Sequence, residues 1–252
     1  MSTASPTPAT LYLLPTPLSD AAVDEVLPPA VVQRAHALNY FLAENAKSAR
    51  AFLKRIGHPV PLQQLLVIEI GHTPDAERVD EWLQPLLEGR DAALVSEAGC
   101  PGIADPGDVL VARARQLGLP VRPLVGPNAI VLALMASGLN GQQFRFVGYL
   151  PAETAARTAA LRALESVARS GETQLFIETP YRNDRLFESI LATCAPDTRL
   201  TVALDLTGST EAIFTRRVAE WRALPASERP SLQRRPAMFA LGAAAVPARA
   251  KR

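Results

Sequence analysis

The sequence predicts an α/β protein of two domains, with a mostly parallel sheet in the first and a mixed sheet in the second. Three observations carry this. Short apolar runs alternate with segments of helical periodicity through the first half, the rhythm of a parallel sheet covered by helices on both faces. After Gly138 there are more strand-like runs per helix, which points to a mixed sheet. The turn-rich GLNGQQ stretch places a boundary at residues 141–143. The domains are therefore read as 11–142 and 143–246. A polar, Pro/Thr-rich disordered lead (1–10) precedes them and a basic tail (247–252) follows.

In the first domain LYLL (Leu11–Leu14) reads as a buried strand ended by Pro15, and LLVIEI (65–70) and AALV (Ala92–Val95) read likewise. Between the latter two, Val79, Trp82, Leu83 and Leu86 stand at i, i+3, i+4 and i+7, one helix face stopped by Gly89. Leu110, Ala114 and Leu117 form the next stripe, stopped by Gly118; PVRPLV is a strand, and NAIVLALMASG is an apolar helix that reads as buried. In the second domain RFVGYL, QLFIE, RLTVAL and residues 236–243 (PAMFALGA) read as strands. Residues 155–169 read as a helix with Leu161, Leu164 and Ala168 inward. Phe187, Ile190, Leu191 and Cys194 form another stripe, which makes Cys194 a core residue.

The 252 residues are 48% hydrophobic and 20% charged, ordinary for a soluble globular protein. A net charge of +1 announces no strongly charged partner. Two cysteines without CxxC spacing argue against a disulfide framework and against a zinc site, so no metal is expected and a reducing cytoplasm fits. The N-terminus lacks a signal peptide's pattern, and no apolar run approaches the ~20 residues of a membrane span. No membrane association is expected.

The segment richest in chemistry is VSEAGCPGIADPG (95–107), which follows a strand and precedes a helix. That is the usual ligand position of open α/β folds. It does not suit phosphate. The dinucleotide fingerprint lacks its first glycine pair, and Asp108 and Val109 stand where a P-loop needs Lys and Ser/Thr. Glu97 and Asp105 add repulsion. A stiff loop of carboxylates and carbonyls suits a neutral or cationic ligand rich in donors. S-adenosylmethionine has that character. The alternative on loop chemistry alone is a tight strand–helix connection with Asp105 as a helix N-terminal acid.

LVSEAGCPGIADPG resembles the SDAGTP-x-ISDPG loop of the small-subunit ribosomal RNA (cytidine-2′-O)-methyltransferases, in the tetrapyrrole-methylase-like superfamily. Further pieces resemble that branch in the right order: LYLLPTPLSD, FLAENAKSARAFLKRIG, VGPNAIVLALMASGLNGQQFRFVGYLP and FIETPYRNDRLFESI. The resemblance implies two α/β domains with S-adenosylmethionine in a cleft between them, in a homodimer, with rRNA or the small ribosomal subunit as partner. By matching positions it implies that Pro15 borders the ligand and that Glu97, Gly99, Ile103, Ala104 and Asp105 line its methionine and ribose side. Ala129 closes it, and Thr179, Tyr181, Leu206, Ala237 and Met238 form the adenine side.

Departures from the pattern bear on the acceptor. The branch's EDTR is here Glu44-Asn45-Ala46-Lys47, and its ARELTK is Ala203-Leu204-Asp205-Leu206-Thr207-Gly208. Lost cations mean fewer phosphate contacts. A small-molecule acceptor and a catalytically silent S-adenosylmethionine-binding protein therefore stay open beside an RNA ribose methyltransferase. The G-x-GPGD opening of true tetrapyrrole methylases is absent, which argues against a corrinoid or porphyrin precursor.

Transfer to a hydroxyl calls for a general base. Glu44, His72 and Tyr181 are the candidates. Glu44 ranks first, because it follows a strand-like run and matches a family acid. His72 follows a strand end, where a surface-loop histidine is the plainer reading. Cys100 reads as a packing residue with no histidine nearby in sequence, and Trp82 and Trp221 as packing residues.

Overall fold

A computed structural model describes residues 9–243. The basic tail and nearly all of the N-terminal lead lie outside the described residues. The chain divides into two compact units between Asn128 and Ala129.

The first unit runs β1 (Leu11–Leu14), α1 (Val23–Val26), α2 (Pro29–His36), β2 (Tyr40–Ala43), α3 (Ala46–Arg55), β3 (Leu66–Glu69), α4 (Val79–Leu87), β4 (Ala92–Val95), α5 (Asp108–Gln116) and β5 (Val121–Pro123). Its strands form one sheet in the order β3-β2-β4-β1-β5, and every pairing is parallel. Period-two alternation explains why the strands are apolar throughout. Tyr12, Phe41, Ala43, Ala93 and Val95 pack with α2 and α3 on one face. Leu11, Tyr40, Leu42, Ala92 and Leu94 pack with α4 and α5 on the other. The predicted stripe of α4 is buried at all four positions, with Trp82 only 3% exposed.

The second unit runs α6 (Ala129–Ser137), β6 (Phe144–Tyr149), α7 (Thr154–Arg169), β7 (Thr173–Ile177), α8 (Asn183–Thr193), β8 (Arg199–Leu204), β9 (Ala212–Arg217), α9 (Val218–Ala223) and β10 (Ala237–Gly242). The sheet order is β6-β7-β10-β8-β9. Only β6 and β7 pair in parallel; the other pairings are antiparallel, so the sheet is mixed. Trp221 and Phe239 centre its core, with Cys194 buried beside them. Burial pushes the Cys194 thiol up to about 12, with the Glu165 carboxylate adding to the shift.

The division falls ahead of the GLNGQQ turn, and α6 accounts for the difference. This helix packs on β9 and β10. The Ser137 carbonyl accepts from Thr215 Oγ1 at 2.9 Å, and the Gly138 carbonyl accepts from Arg199 Nη1 at 2.9 Å. Nor is α6 buried all round, as its composition predicts. Ala133, Leu134 and Ser137 are covered, whereas Val131 is 46% and Met135 74% exposed. The sheet covers one stripe of the helix and leaves the opposite stripe open. Among the described residues no helix is long and apolar enough to cross a membrane.

Candidate functional site

Parallel pairing brings the carboxyl ends of β1, β2, β3 and β4 to one edge of the first sheet, where the segments after them meet. Thr16 and Gly99 exchange two backbone hydrogen bonds (2.9 and 3.0 Å), which pin the β1 exit to the β4 exit. The Thr16 hydroxyl donates to the Ser96 carbonyl and Ser96 Oγ donates to the Gly99 carbonyl. Gly99 suits this place: its φ is +77°, which side chains rarely adopt, and a Cβ would stand 3.1 Å from Leu18 Cδ2, which would have to give way.

Asp105 holds the loop in shape. Its Oδ1 accepts from the amides of Gly102 (2.9 Å) and Gly107 (2.8 Å), the latter at the N-cap of α5. This is a brace, and it leaves Oδ2 free of those two contacts. Ala104, without a glycine's freedom, is held at φ 55°, a strained backbone setting that persists only where surroundings enforce it. Ile103 is 50% exposed and Ala104 is also open, so the tip offers an uncovered apolar surface. The Cys100 thiol donates to the Pro127 carbonyl at 3.4 Å. Burial pushes its pKa up, against a smaller opposing effect of a hydrogen bond with Asn128, so it packs in the loop as the sequence predicts.

Glu44 and His72 come together at this edge. Asn45 caps α3 by accepting from the Lys47 and Ser48 amides at 3.0 Å, and Glu69 Oε2 accepts from the Ala46 amide at 2.9 Å. These contacts fix the β2–α3 junction, and Glu44 projects from it. Glu44 Oε1 meets His72 Nδ1 at 2.6 Å, and Glu44 Oε2 accepts from the Glu97 amide at 3.4 Å. One ligand-type atom from each of Glu44, His72 and Glu97 lies within 4.8 Å of the others. The hydrogen bond and charge of Glu44 raise the His72 pKa above its ordinary value, with smaller contributions from Glu97 and Glu69.

In the second unit, Thr179 and Tyr181 follow β7, Leu206 follows β8, and Ala237 and Met238 begin β10. Register places Met238 opposite Ile177 and Ala237 opposite Leu204, so these residues share one end of their sheet. Leu206, Ala237 and Met238 are buried and Tyr181 is 80% exposed. Ala129 opens α6. Glu178, which sequence reasoning passed over, is buried and holds the turn. Its Oε1 accepts from the Thr179 amide (2.6 Å) and from Arg182 Nη2 (2.7 Å). Thr16, Ser96 and Glu69 were also missed. For Thr16 and Glu69 the signal is tertiary, since each acts on a segment that only sheet pairing brings near, whereas the Ser96 hydroxyl acts within its own loop and its carbonyl takes the Thr16 hydroxyl.

Fold and site together define an α/β protein whose first-unit edge presents acceptors and a fixed carboxylate–imidazole pair. The chain belongs to the tetrapyrrole methylase family: the family profile, Tetrapyrrole (Corrin/Porphyrin) Methylases, matches residues 21–221. It is 36% identical over 211 residues to the ribosomal RNA small subunit methyltransferase I of Micromonospora olivasterospora, covering 84% of this chain and 64% of that protein. It is 33% identical over 214 residues to the protein of that name from Escherichia coli O157:H7, covering 83% and 70%. The chain thus spans about two thirds of the length of these relatives. Among solved structures, the methyltransferase CobJ has a TM-score of 0.60 at 17% identity, covering 94% of this chain and 95% of that one. Uroporphyrin-III-C-methyltransferase from Thermus thermophilus has a TM-score of 0.54 at 19% identity, covering 93% and 92%. At these identities both speak for the fold.

Proposed function

We propose that this protein is an S-adenosylmethionine-dependent methyltransferase acting on a ribose hydroxyl of small-subunit ribosomal RNA. The observation that carries the reading is the Glu44–His72 pair, fixed beside a loop whose sequence and family match those of the methyl-donor loop. The names of the relatives support rRNA as acceptor. Homodimeric assembly in the cytoplasm belongs to the same reading, and light scattering on the full chain tests the dimer.

The loop fits the methyl donor by its donor set. Glu97 offers a carboxylate to an ammonium or a hydroxyl, and Ile103 and Ala104 leave an open surface beside it, while buried Gly99, whose carbonyl is taken by Thr16 and Ser96, shapes the loop. Asp105 keeps that surface in shape. Pro15 stands beside the loop, and Ala129, Thr179, Tyr181, Leu206, Ala237 and Met238 are assigned to the donor by the same family matching. The donor supplies an already activated methyl group. The chain's work is then to orient donor and acceptor in line, exclude water, and accept one proton. Glu44 takes the proton of the acceptor hydroxyl as the oxygen–carbon bond forms and the sulfur–carbon bond breaks. His72 holds Glu44 in position.

The test is to incubate the protein with radioactive methyl donor and either small ribosomal subunits or cell lysate, then separate RNA, protein and small molecules. Label in rRNA at a ribose is expected. Label confined to small molecules, or to none of the fractions, overturns the RNA assignment.

A further inference from the structure

A cavity of about 330 Å³ lies in the first unit on the α3 side of Glu97. Its floor is one face of α3, where Ser48, Ala51, Phe52 and Arg55 stand at i, i+3, i+4 and i+7. Leu18 and its neighbours form one rim, and Glu97 with Ala98 the other. None of the α3 residues belongs to the loop assigned to the donor. Its size is that of a site for one small ligand.

We propose that this cavity receives one unstacked nucleotide of the RNA acceptor, its phosphate on Arg55 and its sugar edge toward Glu97 and Glu44. The inference rests on the RNA methyltransferase reading above and adds where the acceptor sits and which way round. Three observations support it. First, the cavity is tied to the candidate base, because the amide of its lining residue Glu97 donates to Glu44 Oε2 at 3.4 Å. Second, its two ends carry opposite charge. A phosphate near Glu97 is repelled and one at Arg55 is attracted, so a nucleotide enters in one orientation. Third, Arg55 is anchored. It donates to the Ser19 carbonyl at 3.2 Å and to the Ala21 carbonyl, and a guanidinium has five N–H donors, which leaves others for a phosphate.

Between the charged ends the walls include Leu18, Ala51 and Ala98, apolar surface suited to a base removed from its stack. RNA is read most readily in single-stranded loops and ends, where bases are unstacked and splayed out. Ser48 and Arg55, seven positions apart on α3, set a hydroxyl and a cation along the cavity floor; the Ser48 hydroxyl donates to the Asn45 carbonyl at 2.9 Å and keeps its oxygen as an acceptor.

Two variants of the full chain test this. Ala51 is exposed on α3, so Ala51→Phe fills the cavity without entering the core. Arg55→Gln removes the cation. Initial rates are measured on small ribosomal subunits with labelled donor across a salt series, and donor affinity is measured separately by calorimetry. Ala51→Phe is expected to raise the KM for RNA by roughly tenfold or more with donor affinity unchanged. Arg55→Gln is expected to reduce the salt slope of RNA binding by about one phosphate contact. An RNA KM unchanged in Ala51→Phe overturns the assignment while leaving the methyltransferase reading intact. So does a loss of donor affinity in that variant, which would place the cavity in the donor site. No transfer to RNA by the unsubstituted protein overturns both.

Discussion

Glu44 Oε1 and His72 Nδ1 lie 2.6 Å apart, although 28 residues separate them in the chain. Adjacent parallel strands cause the meeting: β2 and β3 pair with Ala43 opposite Glu69, so the residues just beyond them emerge side by side. The pair gives the site a carboxylate whose orientation is set before any substrate arrives.

The pair predicts a pH profile. Glu44 raises the His72 pKa. Below that raised value the imidazolium is charged and holds the Glu44 carboxylate in an ion pair; above it the charge is gone and the carboxylate is released to the acceptor. Methyl transfer should therefore rise with pH through the His72 pKa, and His72→Gln should abolish this limb. Glu44→Gln should lower kcat by about 10²–10⁴-fold, the usual contribution of a general base, with donor affinity preserved. A Glu44→Gln variant at the unsubstituted rate removes Glu44 from the chemistry. Stability follows the opposite course: any help from the pair is present at low pH and lost as pH rises through the raised pKa. His72 is exposed, so that effect should not register in unfolding curves.

Much of the fold was legible in the sequence, because burial on both faces of a parallel sheet writes continuous apolar runs. LYLL and AALV gave β1 and β4 residue for residue. β9 was not read. AIFTRR is only partly buried along its length and ends in arginines, so it lacks the apolar signature. In α6, composition without periodicity hid an exposed stripe. The site was legible as residue types, since loop 95–107, Glu44 and His72 all announce themselves. Their pairing was not, because it depends on strand order. The α3 wall of the cavity was unreadable for the same reason. Ser48 and Arg55 have ordinary surface-helix spacing, and only the neighbouring loops make them a wall.

The Asp105 brace predicts a specific loss. Asp105→Ala leaves the Gly102 and Gly107 amides without their acceptor. Hydrogen bonds to a charged group contribute about 1.5–3 kcal/mol each, less where water can replace them. The expected result is a looser loop with donor affinity reduced about tenfold or more, and Asp105→Asn, which keeps an acceptor oxygen, should retain most of it. Isothermal titration calorimetry decides. Equal affinity in all three proteins would show that the loop's shape does not matter to the donor.

Gly126 is set against Pro15 so closely that a Cβ would stand 2.3 Å from two atoms of the proline ring. That ring cannot swing aside as a flexible side chain would, so the loop carrying it must move. Gly126→Ala should therefore destabilise the protein by about 1–3 kcal/mol in urea unfolding. It should also weaken donor binding through Pro15. An alanine variant with the original unfolding midpoint would show that this contact yields without cost.

Glu178 gives the matching test in the second unit. Its carboxylate is 3% exposed and paired with Arg182, which is 41% exposed. Removing the acid does not bury an unpaired charge, because the arginine can turn to water. The cost of Glu178→Ala should thus fall below the ~3–5 kcal/mol of breaking a fully buried pair. What it should disturb is the turn, since Oε1 also holds the Thr179 amide and Tyr181 lies two residues on. Glu178→Gln keeps an acceptor there and should preserve the turn while giving up the charge. Donor affinity should accordingly fall in Glu178→Ala and largely return in Glu178→Gln, with urea unfolding measured on both. If the alanine variant loses stability yet binds the donor as before, Glu178 serves the fold alone, and the place in the donor site proposed for Thr179 and Tyr181 falls.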